Sequence, residues 1–255
     1  MVRSSWQKRI GWAVFVAVFQ ICAGGFQLPA QSAVLDNAAV IRGIDESVKA
    51  RMQNVAGYTA TEHYAVFRGQ DETHPAAEML VKTVYTRGAG KSFTILSQSG
   101  SALLRNEMLG TLLSNEKKMS EPGNVGTALI DTDNYQMKLA PNSHQQLDGR
   151  DCLMMELTPK SNSPYLFKGT LWVDATDYAI VQLKGTASKS PFFLTNAAQV
   201  TRQYANVNGF PMATHAMAVS SSSLLGQTIM KIDYKDYQID VRPDGDRNAH
   251  LPPRN

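Results

Sequence analysis

Between Val34 and Val55 apolar residues recur at three- and four-residue steps: Leu35, Ala38, Ile41, Ile44, Val48, Met52 and Val55, with Arg42, Asp45, Glu46 and Lys49 between them. That stripe predicts an amphipathic helix with one face laid on a sheet, and Gly57 supplies a stop. The pattern then changes. Thr59 to Phe67 alternates around Tyr64 and Val66, and Ala77–Thr86 and Ser92–Leu96 flank a Gly88-Ala89-Gly90 hairpin turn. Ser101 to Met119 returns to helical spacing. Leu104, Met108 and Leu112 fall four residues apart, with Leu109 and Leu113 beside them. Arg105, Glu107, Asn115 and Lys117 lie on the far side, and Glu121-Pro122-Gly123 ends the run. A further helical turn is expected near Thr127 to Ile130.

From Tyr135 onward strands and turns follow closely: Tyr135–Leu139, Cys152–Leu157, Gly169–Asp174, Tyr178–Lys184, Ala197–Ala205, Phe210–Val219 and Thr228–Ile239. Asp148-Gly149, Asp174 to Asp177 and Asn208-Gly209 have turn chemistry. Short connections of this kind imply antiparallel neighbours. In the last strand Met230, Ile232 and Tyr234 share one face, and Lys231, Asp233 and Lys235 the other, as in a sheet with one wet side. The expected fold is α+β and mostly antiparallel β. A large open sheet curls, the two helices lie across its apolar concave face, and a cavity forms between them.

The first residues predict export. Arg3, Lys8 and Arg9 precede an apolar stretch from Ile10 to Gly25, and small residues follow at Ala30, Ser32 and Ala33. These are the three parts of a secretory signal, and the apolar run is shorter than the roughly 20 residues of a spanning helix. Residues 1–33 therefore read as a signal peptide and 34–239 as one domain. Residues 240–255, polar and Pro-rich, read as a flexible tail. Cys22 follows Phe19-Gln20-Ile21, without the small residue expected before a lipid-modified cysteine. Cys152 is then the single cysteine of the mature chain, with no disulfide or cysteine-based metal site to make, and is expected to be buried.

Of the 25 basic residues, three sit in the leader, which leaves 22 against 22 acidic ones. A mature chain without basic excess or Lys/Arg clusters argues against nucleic-acid binding. Arg87 to Ser92 is no phosphate loop, because Tyr85 stands where the first glycine is required. His63, His74, His144, His215 and His250 have no partner at metal-ligand spacing, and no nucleophile motif appears. No enzyme activity and no cofactor are expected. The chain is instead rich in soft apolar residues, with 11 methionines, which adapt to variable apolar partners. Phe167, Trp172, Phe192 and Phe193 add aromatic area.

The segment Tyr165-Leu166-Phe167-Lys168-Gly169-Thr170-Leu171-Trp172-Val173-Asp174, followed by Ala179 to Leu183, resembles the central hairpin of outer-membrane lipoprotein-sorting proteins, the LolA/LolB-like group. Leu147 to Cys152, Leu157 to Lys160 and Ile232 to Tyr237 fit a divergent branch of that group. The order of elements matches too. The resemblance implies a half-open β-barrel lidded by helices, with an apolar cavity for acyl chains of lipids or lipoproteins in the periplasm.

The functional expectation is periplasmic binding or carriage of a lipid or lipoprotein acyl chain, with membrane donor and acceptor proteins as partners. Leu104, Met108, Leu112, Phe167, Trp172, Met212, Met217, Met230 and Ile232 are the candidate lipid-binding residues, those on the second helix forming a lid. The alternative is a periplasmic interaction or sensor module of the RseB type, binding a regulatory partner.

Overall fold

The computed structural model of the chain describes residues 36–69, 71–187, 198–222 and 226–242. The expected leader lies outside them, as do residues 243–255 of the expected tail and Phe192 and Phe193. Helix α1 (Asn37–Asn54) is started by Asp36, whose carboxylate accepts the Ala38 N–H at 3.0 Å. Three strands follow, β1 (Val55–Arg68), β2 (Ala77–Thr86) and β3 (Gly90–Gly100). The second helical stretch is composite. A short α2 (Ala102–Leu104), capped by Ser101, leads into a π-helical segment (Arg105–Gly110) and then α3 (Thr111–Ser120). A 3-10 turn at Val125–Ala128 precedes seven strands. These are β4 (Tyr135–Leu147), β5 (Arg150–Pro159), β6 (Phe167–Asp174), β7 (Ile180–Ala187), β8 (Gln199–Val207), β9 (Phe210–Ser222) and β10 (Gly226–Val241).

All ten strands form one antiparallel sheet in the order β3-β2-β1-β10-β9-β8-β7-β6-β5-β4. The sheet is curved and unclosed, with β3 and β4 at its free edges. Local hairpins build most of it. Asp148-Gly149 and Asn208-Gly209 each have two successive residues at positive φ, as a tight hairpin turn needs. The long-range closure is β1 against β10, which runs from Val55 opposite Val241 to Arg68 opposite Thr228. Gly169 and Gly185 face each other across β6 and β7, so close that a Cβ on Gly169 would sit 2.2 Å from the Lys184 carbonyl oxygen.

The two helices cover different halves of the same sheet face. Val40 and Ile44 of α1 are buried against the β4–β7 half, among Leu153, Met155, Leu171 and Leu183. Leu104, Leu109 and Leu113 are buried against the other half, among Tyr64, Val66, Met79 and Ile232. The five-residue step from Leu104 to Leu109 is the period of a π turn. It moves the inward position off Met108, so that Met108 and Leu112 are half-buried beside the buried row. Strand β8 lies between the two halves, and none of its residues is fully buried.

Candidate functional site

A cavity of about 430 Å³ opens where the helices leave the middle of the sheet uncovered. Val48 and Met52 of α1, Met108 and Leu112 of the second helical stretch, and residues of most strands line it, and the lining is mainly apolar. Met108, Leu112, Phe167, Met212, Met217, Met230 and Ile232 border the cavity. Leu104 does not. It lies in the core beneath the second helix. Trp172 does not either. Its neighbours Leu171 and Val173 point into the core under α1, so alternation sends the indole to the opposite face. There its Nε1–H donates to Gln145 Oε1 at 2.8 Å. Met217 meets the cavity at its border only. Ala216 and Ala218 on either side face inward, and the Met217 side chain packs near Ala65, Phe67 and Ile229 on the far face.

The residues that the sequence did not single out are polar. Lys91, at the start of β3, donates from Nζ to Glu116 Oε2 on α3 at 2.6 Å, and it lies 4.0 Å from Glu62 Oε1. Its main-chain N–H donates to Ser120 Oγ at 2.7 Å. Burial works against the Lys91 ammonium. The Glu116 carboxylate, together with Glu62 and the Tyr58 and Tyr234 phenols, more than offsets it, and the pKa is raised well above the usual lysine value. Glu62 is 1% exposed. Its pKa is raised by burial, which outweighs the nearby Lys91 charge, and it accepts a hydrogen bond from the Tyr64 hydroxyl.

Arg202 stands in the uncovered strand. Read across the ladder, its row is Gln98, Met79, Tyr64, Ile232, Ala216, Arg202, Leu183, Leu171, Met155 and Leu139, one residue from each strand. Arg202 is the one charged member of that row. Its Nε has no hydrogen-bond partner among the described residues, and no carboxylate among them lies within 4.0 Å of the guanidinium. Burial opposes its charge, but the Tyr204 and Tyr234 phenols and Glu116 more than compensate, and its pKa is raised. Arg51 of α1 lines the same cavity. One of its terminal nitrogens lies 3.8 Å from Met212 Sδ, and its Nε has no hydrogen-bond partner among the described residues.

Single polar residues at non-local positions carry no sequence period, which is why Lys91, Glu116 and Arg202 were not legible as a group. A signal existed for Arg202: it lies between Thr201 and Gln203 and shares the parity of Val200 and Tyr204, which places it on the inner face. Among the described residues, no three His, Cys, Asp or Glu side chains gather as metal ligands. Cys152 is a free, buried thiol.

No protein-family model matches the chain, and no curated protein matches it in sequence. Solved structures that it is similar to include a LolA superfamily protein from Nitrosomonas europaea, at 12% identity and a TM-score of 0.45, over 84% of this chain and 97% of that one. An outer membrane lipoprotein-sorting protein domain from Vibrio parahaemolyticus is similar at 15% identity and a TM-score of 0.46, over 83% and 97%. A DUF1329 family protein from Desulfovibrio piger is similar at 15% identity and a TM-score of 0.41, over 83% and 97%. The architecture of the chain itself is a curved and unclosed ten-stranded antiparallel sheet with helices across one face.

Proposed function

We propose that the protein binds or carries a lipid or lipoprotein acyl chain in the periplasm, without catalysing a reaction on it. The observation that carries this reading is the gap between the two helices. The row on either side of Arg202 is apolar apart from Gln98 at the sheet edge and the Tyr64 hydroxyl, β8 has no fully buried residue, and the space over it is a cavity of about 430 Å³, within the roughly 300–1,000 Å³ of small-molecule sites. An apolar wall of this kind gains about 0.8 kcal/mol for each methylene it shelters from water. A chain of several methylenes therefore binds firmly without a covalent step. Ala216 and Ala218 leave room on the sheet side, and Met108, Met212 and Met230 can adjust to chains of different length. The cleaved leader and the periplasmic setting belong to the same proposal, and membrane donor and acceptor proteins would be its partners.

The test is a titration of the purified protein with a fluorescent fatty acid. Saturable uptake, displaced by unlabelled acyl lipid, is the expected result. A flat titration at saturating protein contradicts the reading.

A further inference from the structure

An apolar cavity for hydrocarbon has no need of charge, yet three cations border this one. Arg51, Lys91 and Arg202 line it against a single carboxylate, Glu116. Lys91 holds that carboxylate at 2.6 Å. Glu62, behind the wall, has its pKa raised by burial. The two guanidinium groups are left without an ion-pair partner within 4.0 Å among the described residues. Nearly every carboxylate of the chain is in that set. Residues 1–35, 188–197 and 223–225 contain no Asp or Glu, and outside the described residues only Asp244 and Asp246 are acidic. A cation taken from water into such a site is unfavourable unless an anion or several hydrogen-bond acceptors meet it.

We propose that Arg202 is a head-group subsite, and that the occupant of the cavity is a single-tailed amphiphile ending in an oxyanion. This rests on the acyl-binding reading above and adds the class of ligand. The guanidinium is a planar fork of donors that matches carboxylate or phosphate oxygens two at a time. It stands at the middle of the uncovered strand, opposite Ala216 on one side and Leu183 on the other. Tyr204, two residues along the same strand face and also lining the cavity, can offer its hydroxyl to the same anion. From there the tail has an apolar path over Ala218 and Met230. Arg51 adds a second positive charge to the wall, so the whole cavity favours an anion over a neutral lipid. The volume, in the lower part of the small-molecule range, suits one tail.

The test displaces a fluorescent acyl probe from the purified protein with dodecanol, dodecanoate and dodecyl phosphate, which share one tail and differ in the head. A charged hydrogen-bonding anchor predicts that at least one of the two anions binds about tenfold or more tighter than the alcohol. The preferred anion identifies carboxylate or phosphate as the head. In Arg202→Gln that preference falls to near one, while the alcohol changes by less than about threefold. Arg202→Lys keeps part of the preference, because it keeps the charge and loses the fork. A structural role for Arg202 would weaken all three ligands together. Equal binding of alcohol and anions by the unaltered protein, or a preference that survives in Arg202→Gln, overturns the subsite while leaving acyl binding intact. Failure of all three to displace the probe, or no probe uptake at all, overturns both. The comparison of heads on the unaltered protein needs no variant to fold.

Discussion

Lys91 Nζ lies 2.6 Å from Glu116 Oε2, which joins the start of an edge strand to the last helix of the second helical stretch. The same Lys91 offers its main-chain N–H to Ser120. Gly90 beside it has a φ of +85°, and a Cβ there would meet Ser120 Oγ at 2.9 Å. One short stretch of β3 thus fixes the end of α3 against the sheet. The side chains are 17% and 16% exposed, so removing one of them strands the other in a nearly dry site. Lys91→Met is expected to destabilise the protein by about 3 kcal/mol, and Lys91→Met with Glu116→Leu to regain most of that. Urea denaturation of the two single variants and the double variant measures it. Additive losses would show that the pair does not act as a unit.

Glu62 gives a pH dependence with a definite sign. Its pKa in the folded protein is raised above the ordinary 4.5 by burial. The folded state therefore holds a proton that the unfolded state releases. The stability tied to that proton is complete below 4.5 and is lost as pH rises through the raised value. Glu62→Gln keeps an acceptor for the Tyr64 hydroxyl and has no charge to bury. Its melting temperature should gain on that of the unaltered protein as pH is raised from 4.5 to 8, read by thermal denaturation at each pH. A gap that stays constant, or that closes, contradicts the assignment.

Ala218 lies between Val200 and Met230 in the ladder and faces the cavity. Ala218→Phe should fill space that is otherwise open. Overpacking a filled core costs about 1–3 kcal/mol, and here the expected change in stability is below about 1 kcal/mol, with acyl-probe uptake reduced about tenfold or more. Loss of fold with uptake unchanged per folded molecule would place the cavity elsewhere.

Gly169→Ala tests the close approach of β6 and β7. The new Cβ would lie 2.2 Å from the Lys184 carbonyl oxygen and 2.5 Å from Gly185 Cα, so the strands must part. A loss of roughly 1–3 kcal/mol is expected in chemical denaturation. A neutral result would mean that the strands yield there without strain.

The fold was legible where the sequence carries a local period. Helix α1, the strands, and the Asp148-Gly149 and Asn208-Gly209 turns follow from spacing and backbone preference, and Met230, Ile232 and Tyr234 are buried on one face as their alternation implies. Two things escaped. The sequence spaces Leu104, Met108 and Leu112 four residues apart with Leu109 and Leu113 beside them, and the π segment buries Leu104, Leu109 and Leu113 while Met108 and Leu112 stay half-buried. A π turn has no strong residue signature, so tertiary packing decided it. Trp172 was grouped with the cavity for its size, although Leu171 and Val173 on either side fix its parity. The charged residues of the cavity wall come from α1, β3, α3 and β8, and only the folded sheet brings them together.

Trp172→Phe is accordingly expected to leave probe uptake unchanged, measured by the same titration. A marked loss of uptake would mean that the outer face takes part in binding.

Native mass spectrometry of the gently purified protein tests the central claim most directly. The account predicts a species heavier than the bare chain by the mass of one non-covalently bound acyl lipid, released as an anion on activation and absent from Ala218→Phe. A bare chain alone, which also fails to take up added acyl lipid, would contradict it.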